Sequence, residues 1–444
     1  MARLFGTDGV RGIANKELTS ELAMNIGAAC AEVLTKNKKN VTVIIGNDGR
    51  ESADMLVSSL IGGFTKAGVN VMNIGIIPTP AISYLISKYK MDAGVMVTAS
   101  HNPYQYNGIK IFDSNGYKLP DDLEDEIEMH INNKISYNST EIGRLIDSKD
   151  AKKDYVDYLL NTSKYNLKEL NIAIDCANGA SSVTADSLFR MTNCNYTIIN
   201  NNINGKNIND NSGALHVENL SKYVVENKLD GGVAFDGDAD RAVFADEKGD
   251  IIDGDYILAI LGKDLKDNNK LNNNTIVGTV MSNLGFIKYC KENDINFIAT
   301  KVGDRYVLEE MKIGNFSLGG EQSGHIIISD YSKTGDGELT ALNVFNILAK
   351  SNKKFSELSS IMKKYPQILI NANVSNEKKN EFYTNEKIQR EIQKSENELN
   401  GDGRIVVRPS GTEPLIRVMI EGKSIEKIKE MAKSLVSLIE KTLK

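Results

Sequence analysis

Thr98-Ala-Ser-His-Asn-Pro103 is the first stretch whose residue types could do chemistry. An apolar run, Ala93 to Val97, ends in small and hydroxyl residues, and Asn-Pro then forces the backbone out of any regular element. A strand that stops this way leaves Ser100 and His101 at the edge of a sheet, where α/β proteins keep their chemistry. Alone, the stretch would read as an ordinary turn; with the other loops of this chain, we read Ser100 as a hydroxyl that carries a phosphoryl group. His101 either shapes the turn or touches the phosphate. Asp236-Gly-Asp-Ala-Asp-Arg241 supplies what such a group needs. Carboxylates at alternate positions, separated by small residues, converge on one hard cation such as Mg²⁺, which usually also takes a phosphate oxygen. A calcium EF-hand loop is a poor fit, because Arg241 stands where that loop requires glycine. The competing reading, a solvated acidic turn, meets the cost of clustering like charges.

Two more loops carry charged and hydroxyl groups among glycines. Gly319-Gly-Glu-Gln-Ser-Gly-His325 bears Glu321 and Ser323, suited to gripping vicinal hydroxyls, and His325, able to shuttle a proton. A lone histidine is more often structural than catalytic, but glycines that let a ligand approach the backbone tip this one towards binding. Arg408-Pro-Ser-Gly-Thr-Glu-Pro-Leu-Ile-Arg417 combines arginines, hydroxyls and a glycine amide, which is the charge, fork and backbone donor set of a phosphate site. It is not a nucleotide P-loop, since G-x-x-x-x-G-K-[ST] occurs nowhere in the chain. Lys110, in Asn107-Gly-Ile-Lys110, is by default a strand-flanking cation. Near an anionic centre it becomes a proton carrier or charge stabiliser, as does Arg11 in the opening Phe5-Gly-Thr-Asp-Gly-Val-Arg-Gly12.

These groups need elements to hold them. A chain of 444 residues is too long for one hydrophobic core, and 41% apolar with 25% charged residues is the balance of a soluble globular protein. With 53 basic against 59 acidic residues the net charge is −6, which implies no general affinity for nucleic acid. An anionic small molecule therefore needs a local cluster of Arg and Lys. Cys30, Cys176, Cys194 and Cys290 lie far apart without a CxxC pair, against disulfides or a thiolate metal site. The N-terminus lacks the apolar core of a signal peptide and no apolar run reaches membrane-spanning length, so we expect a cytoplasmic protein with no membrane partner.

A repeating order organises the chain. A helical pattern from Thr19 precedes a buried parallel strand at Val41 to Ile45, then a helix around Leu56 to Ala67 and a strand at Val69 to Ile74. Ile172 to Asp175, a turn at Asn178 to Ser182, a helix near Val183 to Arg190 and a strand at Tyr196 to Ile199 follow the same plan. So do Thr275 to Val280, Ser282-Asn-Leu-Gly, a helix near Phe286 to Asn293 and a strand at Asn296 to Ile298. After Tyr365-Pro366 the pattern changes. A strand at Ile368 to Val374, a polar stretch from Asn376 to Asn400 that carries helix-like charge with few apolar anchors, paired strands at Arg404 to Arg408 and Leu415 to Glu421, and an amphipathic helix from Ile425 make a small α+β tail. The expected fold is α/β: three similar α/β domains with mixed sheets plus a smaller C-terminal α+β domain, arranged around a central cleft. The divisions are 1–152 (serine loop), 153–252 (metal loop), 253–365 (sugar loop) and 366–444 (phosphate loop, a mobile lid).

Thr-Ala-Ser-His-Asn-Pro, Asp-Gly-Asp-Ala-Asp-Arg, Gly-Glu-Gln-Ser-Gly-His and Arg-Pro-Ser-Gly-Thr-Glu-Pro stand in the order seen in the α-D-phosphohexomutase superfamily, which this chain resembles from near its first residue to its last domain. Within that superfamily the opening segment, the phosphate loop and the length look like the bacterial branch that interconverts glucosamine 6-phosphate and glucosamine 1-phosphate, feeding UDP-N-acetylglucosamine and cell-wall synthesis. The resemblance implies that Ser100 is a phosphoserine whose phosphate joins Asp236, Asp238 and Asp240 around Mg²⁺. It implies that Glu321 and Ser323 contact sugar hydroxyls, and that Gly303 and Asp304, in Val302-Gly-Asp-Arg-Tyr306, read sugar orientation. Arg408, Ser410, Gly411, Thr412 and Arg417 would hold the non-reacting phosphate. Arg11, Lys110, Arg241 and His325 fall to charge stabilisation and proton transfer. Ala239 departs from the glycine of many members; both residues are small, and metal binding is expected to survive. The implied mechanism passes through a bound 1,6-bisphosphate that turns end for end, after activating phosphorylation of Ser100 with a sugar bisphosphate as primer; a homodimer is implied as well. Two alternatives remain beside it: phosphomannomutase/phosphoglucomutase activity with the same machinery, and a haloacid-dehalogenase-like phosphatase with Asp236 as nucleophile, which leaves the serine and arginine loops without a task.

Overall fold

The computed structural model describes residues 3–6, 8–34, 36, 38–133, 139–148, 150–162, 165–410 and 413–443. It comprises two compact units, Met1–Val277 with Gly303–Ser360, and Gly278–Val302 with Ile361–Lys444. The first unit begins with a seven-stranded mixed sheet ordered Phe5–Gly6, Gly9–Ile13, Tyr106–Phe112, Ala93–Val97, Thr42–Asn47, Asn70–Ile76 and Leu145–Asp147. Helices Ala53–Lys66 and Thr79–Tyr89 return the chain over the sheet, which makes Thr42–Asn47, Asn70–Ile76 and Ala93–Val97 parallel. Tyr106–Phe112 then comes straight back antiparallel to Ala93–Val97, with Val97 opposite Ile109, so the segment between them is a loop at the strand's carboxyl end. Ile26, Ala29, Leu56, Leu60 and Phe64 from helices Ser20–Leu34 and Ala53–Lys66 share one core cluster with Val43, Ile45, Val71, Val95 and Val97. Fully burying a side chain of this size contributes about 1.5–3 kcal/mol.

A second sheet runs Ile251–Ile252, Ala242–Asp246, Gly231–Phe235, Asn171–Asp175 and Asn195–Ile199. Gly231–Phe235 is parallel to Asn171–Asp175 and antiparallel to Ala242–Asp246, with Phe235 opposite Ala242, so the acidic sequence 236–241 is the tip of a hairpin. Leu318–Gly320 lies parallel to the start of Thr275–Thr279 and antiparallel to Ile326–Ile328, which places residues 321–325 at another hairpin tip. The loops carrying Ser100, the three aspartates, and Glu321 with His325 thus each cap a buried strand.

In the second unit Leu415–Gly422 is the centre of an antiparallel sheet between Gln367–Asn373 and Gly403–Pro409. Ile388, Leu399, Ile405, Val418, Ile420, Ile428, Ala432, Leu435 and Ile439 form its core against helices Glu386–Leu399 and Ile425–Thr442. Helix Leu284–Glu292 and strand Asn296–Thr300 belong to the same unit. Buried Glu421 ties them in, accepting from Asn283 Nδ2 at 2.9 Å, Leu284 N at 3.0 Å and Arg404 Nε at 2.5 Å.

The strand and helix readings fall on these elements, with one difference. Residues 302–306 read as a loop, but Asp304 opens the helix Asp304–Gly314, capped by Gly303 at φ +131°, a conformation that glycine permits. The helix-like charge of the polar stretch 376–400 falls on a full helix, Glu386–Leu399. Its apolar anchors Ile388, Ile392 and Leu399 recur at helical spacing, and the Asn385 side chain caps it by accepting from Ile388 N at 3.2 Å. Among the described residues no helix is long and apolar enough to cross a membrane.

Candidate active site

Ser100 follows strand Ala93–Val97 in the left-handed region, at φ +51°, a conformation costing a residue with a side chain roughly 1–2 kcal/mol. Its Oγ donates to Asp236 Oδ2 at 2.6 Å, and His101 Nδ1 lies 3.3 Å from the same oxygen. His101 therefore touches the hydroxyl as well as shaping the turn. Burial, then Arg241 and Arg11, lowers its pKa to about 3, so the ring beside Ser100 is neutral at physiological pH.

Asp236, Asp238 and Asp240 are buried, and each offers an oxygen within 4.8 Å of the others. Thr79 Oγ1 donates to Asp238 Oδ2 at 2.6 Å, and Arg241 N donates to Asp236 Oδ1 at 3.1 Å. Asp238 Oδ1 has no hydrogen-bond partner among the described residues; Asp240 Oδ1 has only His325 Nδ1 at 3.6 Å and Arg241 Nε at 3.9 Å. Burial, then Asp240 and Asp238, pushes Asp236 well above the ordinary carboxylate range. Burial also acts on Asp240, but Lys110 first and His325 next outweigh it and hold that carboxyl well below the range. Buried oxygens lacking partners, arranged as an all-carboxylate set, fit a hard divalent cation. Ala239 supplies the turn at φ +56°, so the loop forms here without a glycine at that position. Gly237 is required by close approach: a Cβ there would stand 2.6 Å from Ser100 O.

Lys110 lies inside strand Tyr106–Phe112 rather than at its flank, and is 1% exposed. Its Nζ stands 2.9 Å from Asp238 Oδ2, 3.3 Å from Asp240 Oδ2 and 3.1 Å from Asp8 Oδ2. Burial pulls its pKa down, but Asp238, Asp8 and Asp240 together raise it well above the ordinary value, so the ammonium keeps its charge. Arg11 Nη2 donates to Asp8 Oδ2 at 2.8 Å, and Lys118 bridges Asp8 to Asp304. Asp8 and Lys118 were not singled out from sequence, although Asp8 lies in the same glycine-rich segment as Arg11.

Glu321 and His325 of the 321–325 hairpin tip meet Gly303 and Asp304 at the start of helix Asp304–Gly314. Gly303 N donates to Glu321 Oε1 at 3.0 Å, while Ser323 is exposed at the hairpin tip. His325 stands 3.6 Å from both Asp240 and Asp304, and Gly335 N donates to its Nε2 at 2.9 Å. An acceptor at Nε2 puts the proton of the neutral ring on Nδ1, facing Asp240.

In the second unit Arg408 and Arg417 stand directly opposite one another on paired strands. Glu413 N donates to Ser410 Oγ at 3.2 Å, Arg417 Nη2 donates to Glu413 Oε2 at 2.6 Å, and Lys379 Nζ donates to Ser410 O at 2.7 Å. Lys379 adds a cation that the sequence reading missed, because it comes from outside the loop. Gly411 and Thr412 lie outside the described residues.

Comparison with known proteins places this geometry in a family. The chain matches the phosphoglucomutase/phosphomannomutase domains I, II and III, each described as alpha/beta/alpha, at residues 2–138, 153–249 and 253–365, and the C-terminal domain of the same family at residues 369–438. It is 53% identical over 446 residues to the phosphoglucosamine mutase of Thermoanaerobacter pseudethanolicus and 54% identical over 446 residues to that of Caldanaerobacter subterraneus, with 100% of each chain covered. A phosphoglucomutase/phosphomannomutase family protein from Burkholderia thailandensis has the same fold at TM-score 0.81 and 22% identity, covering 98% of this chain and 97% of its own. An Aspergillus fumigatus N-acetylphosphoglucosamine mutase, solved with GlcNAc-6P and magnesium, matches at TM-score 0.72 and 17% identity, over 99% of this chain and 96% of its own. At those identities the two structures speak for the fold alone. On the full-length relatives and the consecutive domain matches, this chain belongs to the phosphoglucomutase/phosphomannomutase family.

Proposed function

We propose that this chain interconverts glucosamine 6-phosphate and glucosamine 1-phosphate, with Ser100 as the phosphoryl carrier. The observation that supports it most is Ser100 Oγ at 2.6 Å from Asp236 in a buried acidic triad, within a chain that aligns end to end with phosphoglucosamine mutases. Mg²⁺ is the ion we assign to Asp236, Asp238, Asp240 and the phosphate of Ser100, where it would neutralise charge on the transferring group. In the first transfer the bond from Ser100 Oγ to phosphorus breaks and Oγ takes a proton, as a bond forms to the free sugar hydroxyl, whose proton leaves to a base. The bisphosphate then turns end for end; the bond from its other phosphorus to the sugar oxygen breaks and that oxygen takes a proton, as Ser100 Oγ gives up its own proton and binds the phosphoryl group.

The remaining residues divide the work. Lys110, locked among three carboxylates, serves as fixed positive charge, with Arg11 and Arg241 beside it in role. Burial lowers the pKa of His325, but Asp240 and then Asp304 outweigh it and raise it, so the ring holds a proton on Nδ1 facing Asp240 and is the candidate for proton transfer. Glu321, Ser323, Gly303 and Asp304 are assigned to the sugar, and Arg408, Ser410, Gly411, Thr412 and Arg417 to its non-reacting phosphate. The division into domains 1–152, 153–252, 253–365 and 366–444, the last acting as a lid, activation by phosphorylation of Ser100, a homodimeric assembly and a cytoplasmic location belong to the same proposal.

A coupled assay on glucosamine 6-phosphate, with Mg²⁺ and a trace of sugar 1,6-bisphosphate, tests it. Turnover should exceed that on glucose and mannose phosphates, and intact mass should report a phosphoserine that resists hydroxylamine. Ser100→Ala should abolish turnover and keep the wild-type unfolding temperature; near-normal rates in that variant would sink the central assignment.

A further inference from the structure

The serine loop is held by a buried side chain that lies outside the acidic triad. Arg50 ends the turn Gly46-Asn-Asp-Gly-Arg50 after strand Thr42–Asn47 and is 2% exposed. Its Nη2 donates to Ser100 O at 2.7 Å, while Nη1 donates to Pro103 O at 2.6 Å and to Tyr106 O at 3.1 Å. Nε donates to Asp48 Oδ2 at 2.9 Å. The same Asp48 oxygen accepts from Thr98 Oγ1 at 2.6 Å, and Thr98 Oγ1 accepts the Ser100 N–H at 2.8 Å. Asn209 Nδ2 supplies a second donor to Ser100 O at 2.9 Å.

Both peptide planes flanking Ser100 are thereby fixed, one through its N–H and the other through its carbonyl. With those planes set, the direction of the Cα–Cβ bond follows, and few rotamers remain for Oγ. The constraint has something to oppose, because Ser100 is held at φ +51°, which a residue with a side chain leaves readily when untethered. A guanidinium suits the task better than an ammonium: its planar fork reaches several carbonyls while its Nε keeps the carboxylate. A plain structural cross-link would tie down the ends of the loop; here the shortest bonds include the carbonyl of the reacting residue itself.

We propose that Arg50 is a positioning residue for phosphoryl transfer, fixing the peptide planes of Ser100 so that its hydroxyl faces Asp236. This rests on the reading of Ser100 as the phosphoryl carrier. Arg50→Lys keeps the charge beside Asp48 but cannot span the same carbonyls. The full-length variant, loaded with Mg²⁺ and mixed with glucose 1,6-bisphosphate, can be followed by intact mass for phosphorylation of Ser100. The rate should fall about 100-fold, the scale of a small misplacement of a reacting group. Mg²⁺ affinity by calorimetry and KM for glucosamine 6-phosphate should stay within about threefold, a split that general damage to the fold would not leave. A wild-type rate in folded Arg50→Lys overturns the proposal, as does a parallel loss of Mg²⁺ affinity and KM. If Arg50→Lys does not fold, Asn209→Ala decides: loss of the second donor should slow the same step about tenfold, and an unchanged rate overturns it. Should wild-type protein never take a phosphoryl group on Ser100, the carrier reading itself falls, which keeps the two failures apart.

Discussion

Asp238 receives Thr79 and Lys110 on one oxygen and leaves the other, Oδ1, without a partner among the described residues. Such an arrangement is costly unless a cation completes it, since a buried lone pair loses water and gains nothing. Asp238→Asn retains the size of the side chain and its bond to Thr79 while removing a negative ligand. Mg²⁺ affinity measured by calorimetry should drop at least tenfold, with activity falling in step, by the usual cost of altering a metal's surroundings. Unchanged binding would exclude Asp238 as a ligand. His101 shows how little a residue type says by itself. Its position beside Ser100 was open in the sequence, and only the 3.3 Å separation from Oγ makes it part of the serine's surroundings.

At the scale of elements, the loops depend on strands that are buried on both faces, and those strands depend on the helices above them. Leu60, fully buried in helix Ala53–Lys66, packs in the cluster that supports Val43, Ile45 and Val97. Leu60→Ala should destabilise the protein by about 2–5 kcal/mol, measured by denaturant unfolding, because the cavity relaxes only in part. The rate per folded molecule should stay near wild type, since no group of the site is removed. The parallel strands were legible because their β-branched runs are short and bounded by glycine and asparagine turns. Helix Glu386–Leu399 was harder to see: its apolar side is narrow, and a sequence dominated by Lys, Glu, Gln and Asn hides a stripe carried by Ile388, Ile392 and Leu399.

For the whole molecule, stability against pH is set in part by a buried acid outside the loops. Glu338, in the first turn of helix Gly337–Ser351, accepts from Thr184 Oγ1 at 2.6 Å and leaves Oε2 without a partner among the described residues. Burial lifts its carboxyl from an ordinary 4.5 to about 8, and burial lifts neighbouring Asp336 to about 7. The unfolded chain therefore gives up these protons at lower pH than the folded one, and stability falls as pH rises from about 5 to about 8. Glu338→Gln keeps an acceptor for Thr184 and removes one of the two protons concerned. Thermal unfolding should show the variant gaining on wild type across that window, with the difference vanishing near pH 4; a difference independent of pH would contradict the buried neutral acid.

Much of the site was present in the sequence because its chemistry is local. Ser100, the alternating aspartates 236, 238 and 240, the pair Glu321 and Ser323, and the arginines 408 and 417 each sit in a short loop whose own composition announces a task. Fold class followed from the alternation of buried strands with helices, which is a property of neighbouring residues. Other assignments belong to the tertiary structure. Asp8, Arg50, Thr79, Lys118, Asn209 and Lys379 carry no local signature, and each takes its part through partners dozens to hundreds of positions away. The reason is physical: a single Asp or Lys is an ordinary surface residue until folding removes its water and supplies one particular countercharge. The sequence determined which groups the chain has to work with, and the tertiary structure decided which of them are buried, paired and aimed.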